Sequence, residues 1–104
     1  MSESRLSVDG FAVAGEHEFF AADHAKRPGA FYFVRDVEAG KPDRLGIWVL
    51  VPSEAWGVCA GRLPLNCPDG WTWDGNQERP TLSPSIHCVD HWHGYLRAGR
   101  FESC

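Results

Sequence analysis

Three of the five histidines and all four cysteines fall within residues 59–104. Imidazole and thiolate gathered in one stretch of a small chain are the usual donors to a zinc ion. The densest piece is His87-Cys88-Val89-Asp90-His91-Trp92-His93. In a strand, side chains two positions apart share a face at roughly 6–7 Å along the backbone, so His91 and His93 could reach one ion. Cys59, and Cys67 ahead of a Pro-Asp-Gly turn, supply the other half of a mixed set, with Cys88 as a competitor. The candidate metal ligands are therefore Cys59, Cys67, Cys88, His91 and His93. One unbroken strand over 87–93 would put His87, His91 and His93 on one face and Cys88 on the other; a turn at Val89-Asp90 would lift that restriction. No Cys-x-x-Cys pair, the spacing that marks zinc ribbons, is present. Cys104 is left out of the set because a terminal position is expected to fray.

Other chemistries have less to draw on. Cys88 with His91 and Asp90 supplies the residue types of a cysteine nucleophile, base and orienting acid, although such groups assemble in space rather than along the chain. Asp74, Glu78 and Asp90 could serve as general base if a metal kept an open position for water. Glycines 40, 46, 57, 61, 70 and 75 are isolated, so no phosphate loop is formed. Trp71 and Trp73 share a face by parity and read as core, with a stacking surface as the alternative.

Positioning these groups is the task of a small, mainly β chain. At 104 residues it builds one modest core. Residues 1–10 read as a flexible lead-in, and 11–104 as a single β-rich domain: a roll, sandwich or open barrel with one short N-terminal helix. That helix is expected near Glu16, Phe19, Phe20, Asp23 and His24, closed by Arg27-Pro28-Gly29. Residues 30–36 and 44–51 alternate as strands around turn chemistry at 38–43, with Leu45, Ile47, Val49 and Val51 on one face and Pro52 ending the ladder. Residues 81–88 form a further extended piece, and the two prolines within residues 80–86, Pro80 and Pro84, suit a structural role. Asn76 is read as a left-handed turn residue. Ala98-Gly99 is a two-residue hairpin turn joining 93–97 to 100–104.

A net charge of −4 without a Lys/Arg run makes nucleic acid an unpromising partner. No apolar stretch is long enough to span a membrane, and residues 1–5 lack the plan of a secretory signal. The expected setting is the cytosol, where thiols stay reduced, and the partner class left open is another protein.

Taken together, Gly70-Trp71-Thr72-Trp73-Asp74-Gly75-Asn76, then Glu78-Arg79-Pro80-Thr81-Leu82-Ser83-Pro84-Ser85-Ile86, then His91-Trp92-His93-Gly94-Tyr95-Leu96 resemble a family of small bacterial and bacteriophage proteins. The resemblance covers residues 56–104. Members often carry a Cys-Pro-x-Cys-Gly element before the Trp motif and a Cys-His or Cys-Trp-His element after the Pro-Ser-Ile, which look like metal ligands. Here the first is reduced to Cys59-Ala60-Gly61, and His91 stands where a cysteine is expected, so the resemblance favours His93 first and Cys59 second. Its frequent label, ammonia monooxygenase, belongs to a membrane-embedded enzyme and does not fit a chain without a span. Some relatives look associated with bacterial ubiquitin-like conjugation gene sets, which implies an accessory or binding role. The expectation is a phage- or mobile-element-type module stabilised by zinc, the alternative a small metal-dependent hydrolase.

Overall fold

A computed structural model of the chain describes residues 7–36, 41–53, 56–65, 70–88 and 92–103. The domain is mainly β with one short helix. Two four-stranded sheets face each other across the principal core, and the helix covers the far side of one of them.

The first sheet contains β1 (Val8–Asp9), β10 (Arg100–Ser103), β9 (Trp92–Arg97) and β8 (Ile86–Cys88), in that order. The second contains β2 (Phe11–Ala12), β3 (Ala30–Asp36), β4 (Lys41–Ser53) and β5 (Gly57–Pro64). A short ribbon pairs β6 (Thr72–Trp73) with β7 (Leu82–Ser83). Val8 and Asp9, at the end of the segment read as a lead-in, pair with Phe101 and Arg100.

Alternation explains both cores. Along β3, Phe31 faces the space between the sheets while Ala30 and Tyr32 face helix α1 (Glu16–His24). Along β4, Ile47, Val49 and Val51 line the inter-sheet core with Leu45 packed against it, as their spacing predicts, and Leu50 turns to the helix. Burying an aliphatic or aromatic side chain of this kind contributes about 1.5–3 kcal/mol. The opposing sheet supplies Ile86, Trp92, Leu96 and Phe101. Helix α1 buries Phe19 and Ala22; the Phe19 ring lies 5.3 Å from that of Tyr32 and 5.9 Å from that of Trp48.

Four local expectations are corrected. Strand β4 begins at Lys41, inside the segment read as a turn, with Asp36 opposite Lys41 after a register shift. It also runs through Pro52, which sits opposite Val58. Leu50 O accepts from Gly29 N on the β3 side, and alternate residues point the same way, so the missing donor of Pro52 faces beyond the start of β3 and costs no ladder bond. Residues 81–88 are split into β7 and β8 around a cis Ser83-Pro84 peptide. In the loop after Trp73 the left-handed residue is Gly75 (φ 90°) rather than Asn76. Ala98 and Gly99, at φ 48° and 79°, form the expected turn, both in the region that a two-residue hairpin of this twist requires.

Candidate active site

The segment that delivers Ser85 is held by side-chain hydrogen bonds to backbone. Asp74 Oδ1 accepts from Asn76 N at 3.0 Å and from Thr81 N at 3.3 Å, and Asp74 N donates to Thr81 O at 3.2 Å. Asn76 Oδ1 accepts from Glu78 N and Arg79 N, both at 2.9 Å. Trp73 closes the loop from below, donating through Nε1 to Asn76 O at 3.0 Å and packing its ring 4.6 Å from Phe33. Short polar side chains that bond nearby backbone in this way define a single loop shape without a core of their own. On the other side Thr81 Oγ1 accepts from Ala98 N at 2.8 Å, and Pro80 O from Gly99 N at 2.9 Å. The residues between Trp71 and Pro84 thus form a rigid approach leading to β8.

Ser85 stands at the head of β8, half-buried, its carbonyl accepting from Trp71 Nε1 at 3.3 Å. Strands β8 and β9 are antiparallel, pairing Ile86 with Gly94, His87 with His93 and Cys88 with Trp92. Ile86, Trp92 and Leu96 point into the core, so the alternate positions Ser85, His87, His93 and Tyr95 belong to the outer face. Ser85 and His93 are diagonal neighbours there, and His93 Nε2 lies 3.0 Å from Ser85 Oγ. The exposed ring of His87 is 4.9 Å from that of His93, centroid to centroid, tilted by 39°.

Gly94 shapes the inner side of the same strand. A Cβ there would run into the Glu102 carbonyl oxygen and the Trp92 indole. The absent side chain leaves room for the Trp92 indole against the strand, and buried Trp92 anchors the start of β9.

A hydroxyl within hydrogen-bond reach of an imidazole nitrogen is the elementary unit of nucleophilic catalysis by serine. A neutral imidazole accepts the hydroxyl proton as the oxygen attacks, and returns it to the leaving group. Both groups lie on the outer face of the sheet, His93 exposed and Ser85 half-buried.

The residues singled out as metal ligands divide between two places. Cys59 on β5 and Cys88 on β8 bring their sulfurs into disulfide contact at the margin of the inter-sheet core, with Cα atoms 7.4 Å apart. His93 is on the outer face of its sheet, turned away from that pair. Cys67 and His91 lie outside the described residues, as does Asp90. Among the described residues no group of three or more His, Cys, Asp or Glu is placed to hold one metal ion. The Cys88 sulfur points inward, away from His93 and against Cys59, and the base and orienting acid expected for a Cys88 nucleophile, His91 and Asp90, lie outside the described residues. Of the carboxylates considered as general base, Asp74 is engaged in the loop.

A comparison with known families decides the lineage: the model of one family matches residues 20–104, most of the chain. The chain belongs to the BubE family. Its description is a bacterial ubiquitination-like system serine protease. No curated protein and no solved structure matches the chain. BubE membership directs attention to serines, and Ser85 is the one whose Oγ meets a histidine ring among the described contacts.

Sequence reasoning assigned Ser85 to a rigid structural stretch and looked for a nucleophile among the cysteines. The available signal was the hairpin itself. Once residues 86–88 and 92–94 are paired, parity places Ser85 and His93 on one face, close enough to touch.

Proposed function

We propose that this domain is a serine peptidase acting on a protein component of a bacterial ubiquitination-like system, with Ser85 as nucleophile and His93 as general base. The 3.0 Å contact between His93 Nε2 and Ser85 Oγ carries the reading, and the description of the BubE family supports it. In the first half-reaction Ser85 Oγ attacks the scissile carbonyl carbon while His93 Nε2 takes its proton. The tetrahedral adduct expels the amine, which leaves with that proton, and the acyl group stays on Ser85. Water, deprotonated by His93, then releases the carboxylate and regenerates the hydroxyl. The Asp74–Asn76 loop and Trp71 fix the backbone of Ser85; Gly94 and Trp92 fix that of His93.

The test is covalent. Purified protein treated with a fluorophosphonate should gain one phosphonyl group, mapped by peptide mass to Ser85, and Ser85→Ala should gain none. Labelling elsewhere, or none in the parent protein, would remove Ser85 from the role.

A further inference from the structure

We propose that His87 and His93 together form a transition-metal site on the outer face of the first sheet, and that a zinc ion bound there inhibits the serine. The inference rests in part on the proposed role of Ser85 and extends it to regulation. It is separate from the Cys59–Cys88 pair, which lies on the inner side.

The argument starts from register. His87 and His93 are direct cross-strand partners, and both side chains are exposed on one face. Directly opposed positions hold their Cβ atoms about 4.5–5.5 Å apart. The ring centroids, 4.9 Å apart, follow from that spacing. Two nitrogens bound tetrahedrally to one zinc at about 2.0–2.1 Å sit roughly 3.4 Å from each other. Imidazoles with centroids this close reach that spacing by turning about their Cα–Cβ and Cβ–Cγ bonds, with no movement of backbone. The sheet supplies the preorganisation: the partners are fixed on two paired strands, one of them anchored by buried Trp92. Imidazole pairs select zinc, copper and nickel over magnesium or calcium, which prefer oxygen.

Bound metal and proton transfer compete for the same atoms. A nitrogen lone pair of His93 directed at zinc cannot take the proton of Ser85, and the ring must turn from its present contact to share the ion. Ser85 Oγ, 3.0 Å from His93 Nε2, is near enough to become a further ligand, with water completing the set. Either arrangement removes the nucleophile from use, and withdrawal of the ion restores it.

The experiment uses the full chain with Cys59→Ser and Cys88→Ser introduced, so that zinc has no thiolate pair to occupy. Fluorophosphonate labelling of Ser85 is timed with and without zinc chloride. Zinc should slow labelling about tenfold when roughly nine-tenths of the sites are filled, and chelation should restore it. His87→Ala should label at the parent rate without zinc and be insensitive to zinc. Equal inhibition of parent and His87→Ala, or inhibition of neither, overturns the proposal. A parent that never labels defeats the serine reading instead. The site is then judged on Ser85→Ala alone, by whether zinc shifts the imidazole resonances of both His87 and His93 together; unshifted resonances overturn it.

Discussion

His93 reaches Ser85 diagonally across the β8–β9 pair, Nε2 to Oγ at 3.0 Å, from a position whose direct partner is His87. Two groups acting in one proton transfer are not independent. Ser85→Ala should lower peptidase activity by roughly 10³-fold or more, and His93→Ala by a comparable factor. The double variant should be no worse than either single one. Multiplicative losses in steady-state kcat would mean that the two residues act separately.

Gly94 should be intolerant of any side chain. Gly94→Ala drives a methyl group into the Glu102 carbonyl and the Trp92 indole, and overpacking of this kind costs about 1–3 kcal/mol. Thermal unfolding should show a lowered midpoint. The surviving folded protein should label more slowly at Ser85, because the strand bearing His93 has been displaced. A variant with parent stability and parent labelling would contradict this account of the glycine.

The loop clasp is open to a graded test. Asn76→Ala removes one acceptor serving two backbone donors, Glu78 N and Arg79 N. All of these groups are exposed, so water replaces the lost bonds and stability should fall by only about 0.5–1.5 kcal/mol. The larger effect should be on rate, since the loop sets the approach to Ser85. A denaturation midpoint shifted without any change in labelling rate would separate the clasp from the site.

At alkaline pH the informative group is Tyr32, which packs against Phe19 beneath the helix. Burial, with a smaller contribution from the Glu16 charge, holds its phenol above the ordinary value of 10.0. The unfolded chain therefore loses this proton first as pH rises. The contribution of Tyr32 is fully present below pH 10.0 and is lost as pH climbs from there through the folded-state value. Urea titrations across that window should show stability declining, with a shallower decline in Tyr32→Phe. An unchanged slope in Tyr32→Phe would assign the alkaline loss to other groups.

Much of the scaffold was readable from residue order. The alternation of Leu45, Ile47, Val49 and Val51 marks one face of β4, Ala98-Gly99 marks the last hairpin, and the segment around Phe19 marks the helix. These are local signals, carried by residues whose own period or turn preference determines the outcome. Pro52 misled because a proline is excluded from a ladder only when its nitrogen faces a partner strand, and that depends on where β3 begins. Ser85 was hidden for a related reason. A hydroxyl beside a proline has a sufficient local explanation, and only the pairing of β8 with β9 brings it to an imidazole. Cysteine counting could not show that Cys88 and His93 leave their sheet in opposite directions.

The N-terminal strands have a consequence beyond their size. Within residues 8–12 the chain pairs first with β10 in one sheet and then with β3 in the other, so one short span stitches the two layers at a common seam. The family match begins only at residue 20. A chain shortened to begin at Val13 would keep α1, Ser85 and His93 yet lay open the flanks of β10 and β3, and exposed strand flanks invite pairing with other chains. Self-association on truncation would identify the seam as what keeps the domain from aggregating.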